Sequence, residues 1–520
     1  MSRFSRALKV SLSAVALAAL AACGTVKPLP LTDAERAEQV VQARLLAAEG
    51  VDKIEGPLTL EDAMARALKF NLDRRVRMME EALALGQTQV AQLDMLPSLL
   101  AQAGYTRRNN DRISQSRDTD GDLVESRFIS QERSSTLSEL GLSWSLLDIG
   151  MGYYTTQQHA DRFLIALEKR RKAMHLLMQD VRVAFWRAAS AQAMADKVKA
   201  TIEQAEAALE DARKVEDARV RNPVDTLRYQ RQLLENIRLL ESIAQELSTA
   251  QVDLAHLINA PLTQELRVVE PTALAGHKAA LARPVEELEE TALMNNPDLR
   301  EQGYNARISR VEARKTLLSL FPNLSFSYRL YHDTDSFLVN NRWNQAGTQL
   351  SWNLMNLLTY GPRNDLAQAS IALADQRRVM VQASVIAQVH LARLQLANAV
   401  RQMERSDQIF NTDQRLAEIV TNREAVQAQS KLEKVSSDTG LILSQLRRYQ
   451  ALAAVQAAEA RLEATLGVEP VVPGVSDKPV AALSRLLAEA PRGQVPVASA
   501  LPSVPAAQAV PEPDRPAAVQ

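Results

Sequence analysis

LSWSLLDIG (142–150) returns as LSWNLMNLL (350–358), and the reading of that pair decides the fold. Leu140, Leu142, Trp144 and Leu146 alternate with Gly141, Ser143 and Ser145. Leu350, Trp352 and Leu354 alternate with Ser351 and Asn353. An apolar residue every second position, with small polar residues between, is the signal of a strand with two unlike faces. Working upstream, Leu324, Phe326, Tyr328 and Leu330 repeat the pattern, and Leu99, Ala101, Ala103 and Tyr105 form a weaker fourth run. Strands are predicted over about 97–108, 136–147, 322–332 and 343–355. Thirteen of the 22 aromatic residues lie in 96–154 and 321–361, so these two windows differ in kind from the rest. Aromatic residues at strand ends suit the girdle of a membrane barrel. A half-buried sheet of a soluble protein fits the pattern equally well.

The pair belongs to a larger duplication. Asn71, Asp73 and Pro97 recur as Asn296, Asp298 and Pro322, at an offset of 225. Trp144, Asp225 and Asn259 recur as Trp352, Glu433 and Gly467, at an offset of 208. Two fixed offsets mean two copies of one unit, with a length change between the strands of each pair. The connections there, Arg107 to Ser135 and His332 to Asn341, are polar and are read as solvent-facing loops. Asp118–Asp122 misses the EF-hand register and is read as a turn.

Between the strand windows the chain is helical in composition. From Met151 to about Arg221 runs one helix of about 70 residues, or ~105 Å. Asn222-Pro223 breaks it, and 225–258 resumes. There Leu233, Leu240, Leu247 and Leu254 recur every seven residues, with Ile237, Ala244, Gln251 and Ile258 four residues after each, a coiled-coil seam. Thr59 and Asp62 read as a capping pair opening a helix over 60–95. The second copy should place helices over 285–320, 362–429 and 432–466. Two half-length helices stacked end to end would match each long one.

The chain opens with Met-Ser-Arg-Phe-Ser-Arg and Lys9, then an apolar run from Val10 to Leu20, which reads as a secretory signal. It ends in Leu20-Ala21-Ala22-Cys23-Gly24, similar to a bacterial lipobox, so Cys23 is the expected lipidation site. Gly24 stands where a retention signal would place Asp, which points to the outer membrane. Cys23 is the sole cysteine, so an intrachain disulfide is excluded. A net charge of −1 speaks against a nucleic-acid partner. Six scattered histidines, and no phosphate loop or nucleophile motif, leave no enzyme signature and no cofactor beyond the N-terminal acyl group. The expected organisation is signal peptide 1–22, lipid-anchored polar segment 23–55, first repeat 56–270, linker 271–284, second repeat 285–470, and a Pro/Ala-rich, disordered tail 471–520 with one helical stretch near 480–489.

Four strands cannot close a barrel, and an open sheet edge is not tolerated in lipid. Several chains must then share one barrel, continuous with a tube of helices. In this set, the duplicated helix starts, the prolines Pro97 and Pro322, the Trp-containing strands, and the repeat ends at Leu257-Ile258-Asn259 and Thr465-Leu466-Gly467, the chain resembles the TolC-type outer-membrane efflux family over roughly 56–470. The resemblance implies a mainly α fold with a β-barrel contribution. It also implies a homotrimer whose 12-stranded barrel continues into a periplasmic helical barrel. The function implied is an exit duct for drugs or metals, fed by an inner-membrane pump of RND or ABC type through a periplasmic adaptor. Two other readings stay open: the duct of a type I protein secretion system, and a lipid-anchored coiled-coil scaffold without a pore. The resemblance puts adaptor docking at the helix tips, at Asn222, Pro223, Val224, Asp225, Ser430 and Leu432. The family's two pore-constricting acids fall on Glu433 and Ser436. For Asp225 the bland reading, a first-turn acid stabilised by the helix dipole, is preferred.

Overall fold

The computed structural model describes residues 29–117, 119–217, 223–262, 264, 266–269, 277–425, 431–468, 475 and 477–489. The predicted signal peptide, Cys23, Asn222, Ser430 and the tail beyond 489 lie outside the described residues. The chain divides into two compact units, Met1–Ile54 and Glu55–Gln520. In the first, helix α1 (Asp33–Ala48) occupies what reads as a polar connector. Thr32 and Glu35 form a capping box at its start, and none of its residues is buried. The capping signal outweighs the weak apolar periodicity that hid this helix from the sequence reading.

The second unit is built from the duplicated element. In copy one, α2 (Leu60–Phe70) and α3 (Leu72–Leu93) lead to β1 (Ser98–Arg107). The long connection carries its own hairpin, β2 (Ile113–Arg117) and β3 (Leu123–Ile129). That hairpin is a correction to the loop reading; Gly121 at φ +92° makes the turn between its strands. Then come β4 (Ser134–Ser145), α4 (Leu146–Asp217) and α5 (Pro223–Leu257). The short α6 (His277–Ala282) precedes copy two: α7 (Val285–Asn295), α8 (Pro297–Leu318), β5 (Asn323–Asp333), β6 (Arg342–Ser351), α9 (Met355–Ala425) and α10 (Lys431–Leu466). The last described helix, α11 (Val480–Glu489), packs on α2 and buries Leu483 and Leu487, so this part of the tail is docked.

The single helices read over 60–95 and 285–320 are each two helices, hinged at Asn71 and Asn296. Both asparagines have extended ψ, near 130°, and end one helix while opening the next. Their side chains do two jobs. Asn71 Oδ1 accepts from Arg74 N, and Asn296 Oδ1 accepts from Asp298 N and Leu299 N, capping α3 and α8. The amides point the other way: Asn71 Nδ2 donates to Leu257 O at 3.0 Å, and Asn296 Nδ2 to Thr465 O at 2.9 Å. Each asparagine thus rivets the start of one helix to the last turn of another, α3 to α5 and α8 to α10. That is the end-to-end stacking expected from the lengths, reached with a 22-residue helix in place of a 35-residue one. Asn296→Ala should lose both a cap and a buried hydrogen bond, about 2 kcal/mol together. A denaturant midpoint unchanged from wild type would refute this account of the joint.

The ends being joined also match. Ala260 N donates to Ala255 O and Asn259 N to His256 O; Val468 N donates to Glu463 O and Gly467 N to Ala464 O. Asn259 (φ +49°) and Gly467 (φ +66°) hold the left-handed position this double bond requires. The two recurring residues that mark the repeat ends are therefore helix stops.

The helices form one wall. In order across it stand α5 with α3, then α4, then α10 with α8, then α9. The heptad leucines fill the α4–α5 seam: Leu233, Leu240 and Leu254 are fully buried. Leu240 and Leu247 share a cluster with Met194, Val198, Ile442 and Tyr449, where α10 joins the pair. α9 begins seven residues earlier than read and carries Pro362 inside it. β6 ends at Ser351, short of the expected strand, because Trp352 turns aside and its Nε1 donates to Leu320 O at the end of α8.

Candidate channel wall and helix tips

The strands form a four-stranded antiparallel sheet in the order β1-β4-β5-β6. The register stacks like with like. Leu99 pairs with Leu142 and Leu142 with Tyr328; Leu140 pairs with Leu330, and Trp144 with Phe326. On the opposite face Ser143 pairs with Ser327, Ser145 with Ser325, and Gln102 with Glu139. There Gln102 Nε2 donates to Glu139 Oε2 at 2.6 Å and Arg329 Nη1 lies 3.2 Å from Glu139 Oε1. One face is thus a continuous apolar surface and the other a polar one. Leu99, Leu140, Leu142, Trp144, Phe326, Tyr328 and Leu330 are all exposed in the single chain. Contiguous apolar exposure of this kind marks a surface meant for lipid or a partner. Among the described residues β1 and β6 are the edges of this sheet, each paired on one side only. At the loop end Asp335 Oδ1 accepts from Glu132 N and Phe337 N, tying the two connections together. Asp335 and the Glu139–Arg329 pair escaped the sequence reading, since a charged residue on the polar face of a strand looks like any solvated one.

At the opposite end are the tips. Pro223 is the first residue of α5, where its missing N–H costs nothing, and Val224 and Asp225 follow, exposed. Asp225 lies 3.7 Å from Arg228, one turn on. In α10, Glu433 is an exposed first-turn acid. Ser436 lies on another side of the helix, where its Oγ accepts from Asn236 Nδ2 of α5 at 3.2 Å. Leu432 packs on the cluster of Leu209, Leu233, Ile237 and Val435 that joins the two hairpins. The structure therefore sets Glu433 apart from Ser436 and Leu432, which face the first hairpin. Lys431 Nζ bonds Asp211 at 2.9 Å; the pair lowers the Asp211 carboxyl and raises the Lys431 ammonium. Burial raises the Asp438 carboxyl, with Lys434 opposing it. Spacing could not reveal these cross-hairpin partners, which lie about 200 residues apart in the chain.

Among the described residues no helix is long and apolar enough to cross a membrane, and no group of side chains is set to hold a metal ion. The long helices thus form a wall that ends in a two-faced four-stranded sheet. Residues 64–260 match the family model described as outer membrane efflux protein. No curated protein matches the chain. Among solved structures, the fold is similar to the CmeC outer membrane channel of Campylobacter jejuni (TM-score 0.61, 12% identity, 89% of this chain and 97% of that one). It is also similar to the outer-membrane channel OprN (0.59, 16%, 78% and 89%) and to VceC of Vibrio cholerae (0.57, 13%, 78% and 96%). The fold is that of TolC-type channels, and the first repeat carries the sequence signature of the outer membrane efflux proteins.

Proposed function

We propose that three copies of this chain form an outer-membrane exit duct that passively conducts small molecules, drugs or metals, for an inner-membrane pump and its periplasmic adaptor. The observation that carries the proposal is a seam used once within the chain and left open at both outer edges. Within the chain α4 meets α8 through Gln158–Glu312, Asp161–Arg307, Glu168–Arg300 and Lys172–Asp298. The duplication maps the α4 positions onto Leu366, Ala369, Gln376 and Met380 of α9, and the α8 positions onto Gln87, Ala82, Arg75 and Asp73 of α3. Those images line the two uncovered edges of the wall. Around them Leu366, Leu373 and Met380 are exposed on α9, and Val76, Met79, Leu83 and Val90 on α3. Where the internal seam is ionic, half of its image positions are apolar and they are flanked by these exposed apolar side chains, a composition that suits an interface between obligate subunits. The free sheet edges β6 and β1 stand in the same order, so one docking closes both layers. Three four-stranded sheets make a 12-stranded barrel, above the minimum of about eight.

In this reading the apolar sheet face meets lipid and the Ser-rich face lines the lumen. Cys23 carries the lipid anchor, and the tips around Asn222–Asp225 and Ser430–Leu432 receive the adaptor. Glu433 is the favoured constriction acid, since it is exposed while Ser436 is held by Asn236. Three carboxylates gathered on one axis would repel each other and attract cations.

Leu373→Glu tests the assembly. The side chain is exposed in the single chain, so the protomer should fold, while three buried carboxylates should block association. The expected result is a monomer by light scattering and no conductance in planar bilayers, where the wild type conducts. A conducting Leu373→Glu trimer would remove the seam from the argument; a wild type without conductance would leave the scaffold reading. Drug sensitivity of a deletion strain, set against loss of a secreted protein, separates efflux from type I secretion.

A further inference from the structure

A cleft of about 400 Å³ opens where the start of α3 meets α4 and the last turn of α5. Asn71, Asp73, Arg74, Arg77, Arg170 and Asp180 are among its lining residues. Two of the three guanidiniums are accounted for. Arg77 Nη1 lies 2.8 Å from Glu80, and Arg170 Nε lies 2.5 Å from Glu81. Arg74 is not. Only 8% of it is exposed; its Nε, like that of Arg170, is buried without a hydrogen-bond partner, but unlike Arg170 it has no carboxylate paired with it among the described residues. Burial first, and then the neighbouring charge of Arg170, lower its affinity for a proton. Asp180 also lines the cleft; burial raises its carboxyl, and no ion pair joins it to Arg74 among the described residues.

A buried, unpaired guanidinium beside another cation is costly, and a chain that needed only packing here has the alternative on hand. The image of Arg74 in the second copy is Leu299, which packs against the apolar cluster of α7, α9 and α10. Copy one has a charge where copy two has a hydrocarbon. The peptide N–H groups at the start of α3 add positive potential on the same side.

From these observations we infer that the Arg74 cleft is a binding site for a small oxyanion, a phosphate or phosphomonoester group, held by Arg74 with Arg170 beside it. A lipid headgroup is out of reach. About 20 residues of α3, or ~30 Å, separate Arg74 from the sheet end of the molecule. The anion is therefore a soluble one. Bound there, it would neutralise the joint at which Asn71 rivets α3 to α5. The inference does not depend on the chain being a duct, since its readout is binding.

The experiment titrates inorganic phosphate into the purified full-length protein, with sodium chloride of equal ionic strength as reference. Calorimetry should give a saturable heat, and the unfolding temperature should rise with phosphate beyond the chloride control. Arg74→Leu, which copies the second repeat, should keep its phosphate-free unfolding temperature and lose the phosphate response, with affinity falling at least about tenfold. If that variant does not fold, Arg74→Gln and the wild-type titration still decide the matter. No saturable heat in the wild type, or an undiminished response in a folded Arg74 variant, overturns the inference. So does phosphate binding by the Leu373→Glu monomer but not by the wild-type assembly, because a carboxylate of another copy would then fill the cleft.

Discussion

Gly467→Ala is expected to be the most damaging single-methyl change in the chain. The backbone there has φ +66°, which costs a residue with a Cβ about 1–2 kcal/mol. The added Cβ would also lie 2.2 Å from Asn295 O, 2.5 Å from Asn295 C and 2.9 Å from Asn296 N. All three are backbone atoms of the hinge between α7 and α8, so no side-chain rotation relieves the contact. The hinge or the end of α10 must move, and the Asn296 Nδ2 bond to Thr465 O joins those two elements. Strain and a broken buried hydrogen bond together put the loss at about 3–5 kcal/mol. Asn259→Ala, at the image position, adds no Cβ that was not already there and should lose less than Gly467→Ala, about 1 kcal/mol of it from the left-handed backbone. Unfolding of the purified variants in denaturant checks both. Equal losses at the two positions would show that the close approach at Gly467 does not matter.

Glu168→Ala should be nearly as severe, through charge instead of volume. Glu168 is 1% exposed and lies in the internal seam between α4 and α8. Arg171 Nη1 donates to its Oε2 at 2.7 Å, and Arg300 Nε lies 3.1 Å from Oε1. Arg171 also donates to Gly467 O, so the same cluster grips the end of α10. Removing the carboxylate leaves two guanidiniums facing each other. Breaking a buried pair costs about 3–5 kcal/mol, and the partial exposure of both arginines places this case near the lower figure. Glu168→Ala combined with Arg300→Met should recover part of the loss. If the double variant is no more stable than the sum of the single losses predicts, the pair is not coupled and the seam is not held this way.

The two predictions meet at one joint, and that joint shows what was legible beforehand. Asn71, Asn296, Asn259 and Gly467 stood out because they recur at constant offsets, but recurrence carries no chemistry. Their roles became visible only when Leu257 O and Thr465 O were brought to the asparagine amides. The heptad leucines were legible in full, since a coiled-coil seam is a local pattern that burial follows directly. The strands were legible for the same reason. The hairpin Ile113–Ile129 was not, because polar residues dominate it and a solvated hairpin has no apolar face to betray it. Ser436 illustrates the opposite limit. Its place near the tip follows from the alignment of copies, while its engagement with Asn236 follows from how one hairpin lies on the other.

By itself the sequence determined the long helices, the four strands of the main sheet and their duplication and order, because hydrophobic period and helix breakers act over a few residues and leave their mark in composition. Tertiary structure alone decided which copies of a feature are used and which are left open. The ionic seam between α4 and α8, and the arginine at 74 that lines a cleft where Leu299 packs on a core, are each defined by neighbours about a hundred or more residues away. Charge and burial act through space, and only a folded chain gives each residue the surroundings that set their sign.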